Sequence, residues 1–265
     1  MMGKRIAVAA VLLMAAGAAG AQSSPLQGEW IDLTHTLDES SVFWPTAEEF
    51  HHDTESFGQT DGGYFYSAYN IRTSEHGGTH LDAPIHFAEG AQTADEVPLD
   101  RLIGPAAVID VTEASASDRD YRFTAQDVLD WEARHGEIAP GTIVLFRTGF
   151  SKFWPDREAY MGTAERGAEA VAQLHFPGLS EAAARLLKER DVAAVGLDTP
   201  SLDYGQSKDF IAHRVLLGAQ IPGFENVTNL DRLPEWGASV IALPAKIGKG
   251  SGAPLRIVAL LPKDD

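Results

Sequence analysis

The sequence predicts a mixed α/β fold in a single domain. Residues 142–146 and 192–197 are continuous apolar runs of strand length, as expected of strands buried on both faces. Between and after them, residues 124–135 and 180–190 read as helices, each opening on a hydroxyl side chain suited to an N-cap, Thr124 and Ser180. No internal repeat, low-complexity tract or long linker divides the 265 residues, so one substantial core is expected.

Taken in order, Lys4 and Arg5 give a basic start, residues 6–18 an apolar run, and Ala19-Gly20-Ala21 a small-residue cleavage site. This pattern is that of a secretory signal peptide over residues 1–21, leaving a mature chain of residues 22–265 in the periplasm or outside the cell. The apolar run is too short for a stable membrane span, and no cysteine follows it to carry a lipid. Residues 29–35 read as a short strand ending at His35, for which a structural role is expected. Phe43-Trp44-Pro45 sets two aromatics beside a proline, as core or as the wall of a pocket for a flat substrate. His51-His52 read as an exposed loop pair, and residues 64–73 as a strand rich in aromatic and β-branched side chains. Residues 97–99 and 106–111 resume the strand pattern, the helix from Thr124 closes on Gly136, and residues 240–243 and 255–261 supply the last strands. Strands outnumber helices, without a regular βαβ repeat.

The formal net charge of −17 argues against nucleic acid and anionic membranes as partners and says nothing specific about the small-molecule substrate expected here. The absence of cysteine excludes disulfides, a thiol nucleophile and thiolate ligands, so any metal is held by nitrogen and oxygen.

Those donors concentrate in His76-Gly77-Gly78-Thr79-His80-Leu81-Asp82-Ala83-Pro84-Ile85-His86, with three histidines and an aspartate in eleven residues. The adjacent glycines and Pro84 argue against a helix. In an extended chain His76, His80, Asp82 and His86 share parity and leave one face. A straight strand would still hold His76 and His80 roughly 13 Å apart, too far to share an ion with bonds near ~2.1 Å. The chain must therefore bend at Gly77-Gly78, whereas His80 and Asp82 converge without a bend. The stretch reads as a metal cradle. Its spacing is not that of the helical H-E-x-x-H motif.

Further donors lie at Asp198, Asp203, His213 and Glu225, and spacing alone does not choose among them. Gly248-Lys249-Gly250-Ser251-Gly252 has neither the nucleophile-elbow nor the phosphate-loop pattern, and reads as a turn or a glycine-rich pocket wall.

The segment from His76 to His86 resembles the H-x-G-T-H-x-D-x-P-x-H signature of the cyclase family of metal-dependent hydrolases, which includes bacterial kynurenine formamidase and isatin hydrolase. Asp32-Leu33-Thr34-His35, Arg147-Thr148-Gly149, His213-Arg214, Glu225-Asn226 and Gly250-Ser251-Gly252-Ala253-Pro254 are similar to that family in order and spacing. The resemblance implies a swivelling β/β/α domain assembled as a homodimer or larger, with zinc or manganese bound as one ion or two. It implies that His76, His80 and Asp82 hold one ion, and that Asp82 bridges to a second completed by His213 and Glu225. His86 matches the family's general acid/base and Trp44 a position that packs on substrate. The reaction implied is hydrolysis of a carbon–nitrogen bond in an aryl formamide or a small cyclic amide. Ring opening of the isatin type and lactone hydrolysis are the alternatives within that chemistry, and a non-catalytic periplasmic binding protein is the alternative outside it. Formamidases tend to follow Trp-Pro with Gly-Asp; here Thr46-Ala47 stand there, closer to the isatin-hydrolase branch.

Overall fold

In a computed structural model, which describes residues 27–262, the chain builds twelve strands and five α-helices among the described residues. The expected signal peptide lies outside the described residues. The first half runs through β1 (Gly28–Asp32), β2 (His51–Gln59), β3 (Phe65–Arg72), β4 (His80–Asp82), β5 (Ile103–Asp110), α1 (Thr112–Ser117), β6 (Arg122–Phe123) and α2 (Ala125–His135). The second half adds β7 (Ile143–Arg147), α3 (Arg157–Met161), β8 (Gly178–Leu179), α4 (Glu181–Glu189), β9 (Ala194–Leu197) and α5 (Ile211–Leu217). Strands β10 (Gly223–Glu225), β11 (Trp236–Pro244) and β12 (Gly252–Pro262) complete it.

Eight strands form one sheet in the order β1-β12-β11-β5-β7-β9-β10-β4, and β4 pairs with β12 as well. That extra pairing closes the sheet into a barrel-like ring flanked by β1. Strands β5, β7, β9 and β10 run parallel, and the remaining pairs are antiparallel. The mixed α/β class expected from the sequence is the class observed.

Alternation along the parallel strands builds two cores. On β7, Ile143 and Leu145 join Leu81, Phe224, Val240 and Ile257 inside the ring. Val144 and Phe146 face the other way, into a layer with Val128 and Trp131 of α2, Leu187 of α4 and Leu216 of α5. A strand covered on both sides gains nothing from polar alternation, which is why residues 142–146 read as an unbroken apolar run. The helix starts also follow the sequence. Thr124 Oγ1 accepts from Asp127 N–H at 3.2 Å while Asp127 accepts from Thr124 N–H at 2.6 Å, a reciprocal capping box. Ser180 accepts from Ala183 N–H at 3.2 Å.

Two expectations fail. Residues 97–99 do not form a strand; Pro98 leads a 3₁₀ turn over Leu99–Arg101, because proline offers no N–H to a ladder. His51 and His52 are not loop residues but open β2, where His51 pairs with Arg72 and the His52 ring stacks on Tyr69 at 4.4 Å.

Candidate active site

The bend anticipated at Gly77-Gly78 is present. Gly78 takes φ +61°, a left-handed conformation that glycine adopts without penalty, and the His76 and His80 rings end 5.4 Å apart. Gly77 bridges to Phe43, and a Cβ placed there would lie 2.0 Å from the Phe43 ring. Phe43 is fully buried and has nowhere to go. Gly77→Ala is therefore expected to cost about 1–3 kcal/mol by overpacking, read as a lower midpoint in chemical denaturation.

Strand register then assembles the donors. Strand β4 lies between β10 and β12, with Glu225 directly opposite His80 and Gly252 opposite Asp82. Directly opposed residues on neighbouring strands point to one face, so Glu225 meets His80 by pairing alone. His213 arrives on α5, whose first turn is tied down by Asp203. That carboxylate accepts from Ala212 N–H at 3.0 Å, His213 N–H at 3.1 Å and His213 Nδ1 at 2.7 Å.

Four side chains thus form a closed ring of alternating nitrogen and oxygen donors. His80 Nε2 lies 3.3 Å from Asp82 Oδ1 and 3.3 Å from Glu225 Oε2. His213 Nε2 lies 3.2 Å from Asp82 Oδ2 and 3.2 Å from Glu225 Oε1. On the other flank of Asp82, His76 Nδ1 approaches Oδ1 at 2.6 Å and the His86 ring stacks on His76 at 3.9 Å. The ligand atoms fall into two groups that share Asp82: His80 with Asp82 and Glu225, and His76 with Asp82 and His86. By distance, His76 therefore groups with His86 rather than with His80.

The electrostatics ask for positive charge. Burial alone would push His80 down, but the carboxylates of Asp82 and Glu225 override it and raise its pKa to about 10. His213, equally buried, is held well above its usual value by Asp203, Asp82 and Glu225. Burial works against the Asp82 charge, yet His76, His213 and His80 hold its carboxyl well below the usual range. His80 Nδ1 faces the Gly78 carbonyl at 2.9 Å and donates to it, so Nε2 is the nitrogen left facing the carboxylates, buried and without a hydrogen-bond partner of good geometry. An orphaned imidazole nitrogen between two carboxylates, with a second imidazole across the ring, fits a divalent cation bound by nitrogen and oxygen.

The donors form one end of a cavity of about 300 Å³. The rest of the lining is mainly apolar, with Val42, Phe43, Trp44, Ala47, Phe87 and Phe210, and is interrupted by Ser74, Ser201 and Asn226. Trp44 packs on Phe176 and Phe210, each at 6.4 Å between ring centres. His86 sits on the 3₁₀ turn Pro84–His86 and reaches solvent, although burial among the pocket walls pushes its pKa down to about 4. His35 proves structural. It stacks on Trp154 at 4.3 Å, and its backbone N–H donates to Thr79 Oγ1. Asp198 accepts from Thr148 and Gly149 and holds that turn rather than a ligand.

Sequence reasoning missed Asn226, whose Nδ2 donates at 2.7 Å to the same Gly78 carbonyl that receives His80. It also missed the direct contact of Ser251 with His76, at 2.9 Å from Nε2.

The Cyclase family model matches residues 31–204, a span that carries His76, His80, Asp82 and His86. The chain belongs to the Cyclase family. Among its relatives, isatin hydrolase from Roseibium aggregatum is 37 % identical over 213 residues, covering 77 % of this chain and 78 % of that protein. Kynurenine formamidase from Salinibacter ruber is 32 % identical over 228 residues, covering 86 % and 95 %. A crystal structure of an isatin hydrolase bound to the product analogue thioisatinate superposes with a TM-score of 0.80 at 32 % identity, covering 89 % of this chain and 93 % of that one. As a Cyclase family member with these relatives, the chain is a metal-dependent amide hydrolase. This sets aside a non-catalytic binding protein.

Proposed function

We propose that the site opens the amide ring of a small, flat, uncharged aromatic lactam of the isatin type. The observation that carries this reading is the pocket lining. Outside the donor cluster its walls are mainly aromatic and aliphatic, with Ser74, Ser201 and Asn226 as neutral polar exceptions, and among the described residues the lining contains no lysine or arginine. N-formylkynurenine carries an ammonium and a carboxylate, and burying either against such walls without a partner is costly. An uncharged bicyclic amide avoids that cost and suits a cavity at the small end of ligand sites. Thr46-Ala47 after Trp44-Pro45, with Ala47 in the lining, is in keeping with this choice.

In this reading His76, His80, Asp82, His213 and Glu225 hold zinc or manganese, as one ion or two. When bound, the ion supplies Lewis acidity and brings the pKa of water from 15.7 towards ~7. The protein's own groups do the rest. Trp44 and the rings of Phe87 and Phe210 orient the flat substrate. His86, neutral at pH 7, accepts a proton from the attacking water and returns it to the leaving nitrogen.

The test is a paired assay of protein reloaded with zinc or manganese after chelation. Isatin is expected to turn over with a kcat/KM at least ~100-fold above that for N-formylkynurenine, the scale on which unpaired buried polar groups discriminate. Faster turnover of the formyl anilide would reverse the assignment.

We further propose that two copies associate through the β2–β3 ribbon. Its register places Phe57, Phe65, Tyr69 and Ile71 on one face, and they are 68 %, 54 %, 41 % and 64 % exposed. A two-stranded ribbon is at best marginal alone in water. With about 200 Å² per aromatic side chain, this face offers roughly 400–500 Å², over half of the ~800 Å² that each partner buries in a stable dimer. The acidic chain opposes an anionic membrane as the cover. Sedimentation velocity should show a dimer or larger species that Phe57→Asp with Ile71→Asp converts to monomer. A monomeric parent protein would refute the assignment.

A further inference from the structure

The geometry points to Glu75 and Ser251 as positioning residues that fix the tautomer of His76, and so which of its nitrogens is free to bind a cation. This rests on the reading of the donor cluster as a cation site. The chain of contacts is short. The Ser251 hydroxyl lies 2.8 Å from Glu75 Oε2 and 2.9 Å from His76 Nε2. A carboxylate only accepts, so the hydroxyl hydrogen goes to Glu75. The Ser251 oxygen then presents lone pairs to His76, and Nε2 must be the nitrogen that carries the proton. In the neutral ring this leaves a lone pair on Nδ1, aimed at Asp82 Oδ1 only 2.6 Å away. Two facing acceptors at that separation require a positive charge between or beside them, a proton on Nδ1 in the ion-free ring or a bound cation in its place.

The same logic holds at the other two rings, each by a different device. His80 gives its Nδ1 proton to the Gly78 carbonyl, and His213 gives its own to Asp203. Outer groups therefore turn all three imidazoles so that the nitrogen facing Asp82 is the one that a cation, in place of a proton, would take. His76 alone does this through a hydroxyl, and it alone presents Nδ1. The arrangement needs Gly252 as well, since a Cβ there would lie 2.5 Å from His76 Cε1.

Glu75 also accepts from the backbone N–H groups of Ser251 at 2.8 Å and Gly252 at 3.3 Å, so it ties down the turn before β12. The test must separate that structural task from control of the tautomer. Ser251→Ala does so, because it keeps both backbone bonds and removes only the hydroxyl. The measurement is zinc affinity by competition with a chelator, with circular dichroism to confirm the fold. Long-range proton–nitrogen NMR on the imidazoles of the zinc-loaded protein accompanies it. Ser251→Ala is expected to weaken zinc by about 10–100-fold, the scale for losing an outer partner of a ligating histidine. Ser251→Thr, which keeps the hydroxyl, should recover affinity to within a few-fold. Glu75→Gln should follow Ser251→Ala, because an amide N–H offered to Ser251 would turn its hydroxyl towards Nε2 and favour the wrong tautomer. Zinc affinity within twofold of the parent in Ser251→Ala, with Nε2 still protonated, would overturn the assignment. If the parent protein binds no zinc, the cation reading fails by itself. The relay is then decided in the ion-free protein: an Nε2 proton protected in the parent and exposed to exchange in Ser251→Ala supports it, and no change refutes it.

Discussion

Asp82→Ala is expected to strip the site of metal and abolish turnover. Asp82 is the one residue common to both donor groups, and it is 1 % exposed. Its Oδ1 faces His76 and His80 while Oδ2 faces His213, so a single side chain organises three imidazoles. Without it, Glu225 is the only carboxylate left in the ring. The loss in affinity should exceed the ~10–100-fold that removal of an outer partner costs. The fold should survive better than the loss of a buried ion pair suggests. Such losses reach about 3–5 kcal/mol when a charge is stranded, but His80 and His213 can each shed a proton and remain buried as neutral rings. Metal per chain by elemental analysis, read beside far-UV circular dichroism, decides the matter. A folded Asp82→Ala protein with its full complement of metal would place the cation elsewhere.

What the sequence showed and what it hid divide along physical lines. The cradle was legible because its donors are close in sequence, and local geometry constrains them: two glycines, a proline and a parity rule suffice to require a bend. The helix at Thr124 was legible for the same reason, its cap and N3 partner being three residues apart. Helix α5 was not. Its N-cap position is Phe210 at φ +49°, which offers no side-chain acceptor, and the carboxylate that ties down its first turn comes from Asp203, nine residues before Ala212. Nothing in the local pattern announces such a helix, so His213 stood beside Asp198 and Asp203 as one candidate among several. Glu225 reaches His80 through strand register, and Ser251 reaches His76 across 175 positions. Contacts of that range are set by closure of the β4–β12 edge, which short strands of three residues do not reveal. The resemblance supplied what spacing could not.

His86→Ala is expected to keep its metal and lose about 10²–10⁴ in kcat, the usual worth of a positioned general acid/base. The prediction is sharp because distance alone does not exclude His86 as a ligand: it falls with His76 and Asp82 in one donor group. Other features point away from ligation. Its ring lies face to face on His76 at 3.9 Å with 23° between planes, a stacking contact, whereas Asp82 takes the edge of His76 through Nδ1. His86 is the most exposed member of the cluster, as suits a proton carrier. Burial among the pocket walls outweighs the pull of Asp82 and lowers its pKa to about 4. The active form of a base is the deprotonated one, so this shift keeps His86 competent at neutral pH, and activity should fall only as pH drops well below the ordinary histidine value of ~6.5. A cation bound to its neighbours pushes in the same direction. His86→Gln retains polar contacts but exchanges no proton, and should be as slow as alanine with metal intact. Stoichiometric loss of metal in both variants would make His86 a ligand, and the proton would then need another carrier.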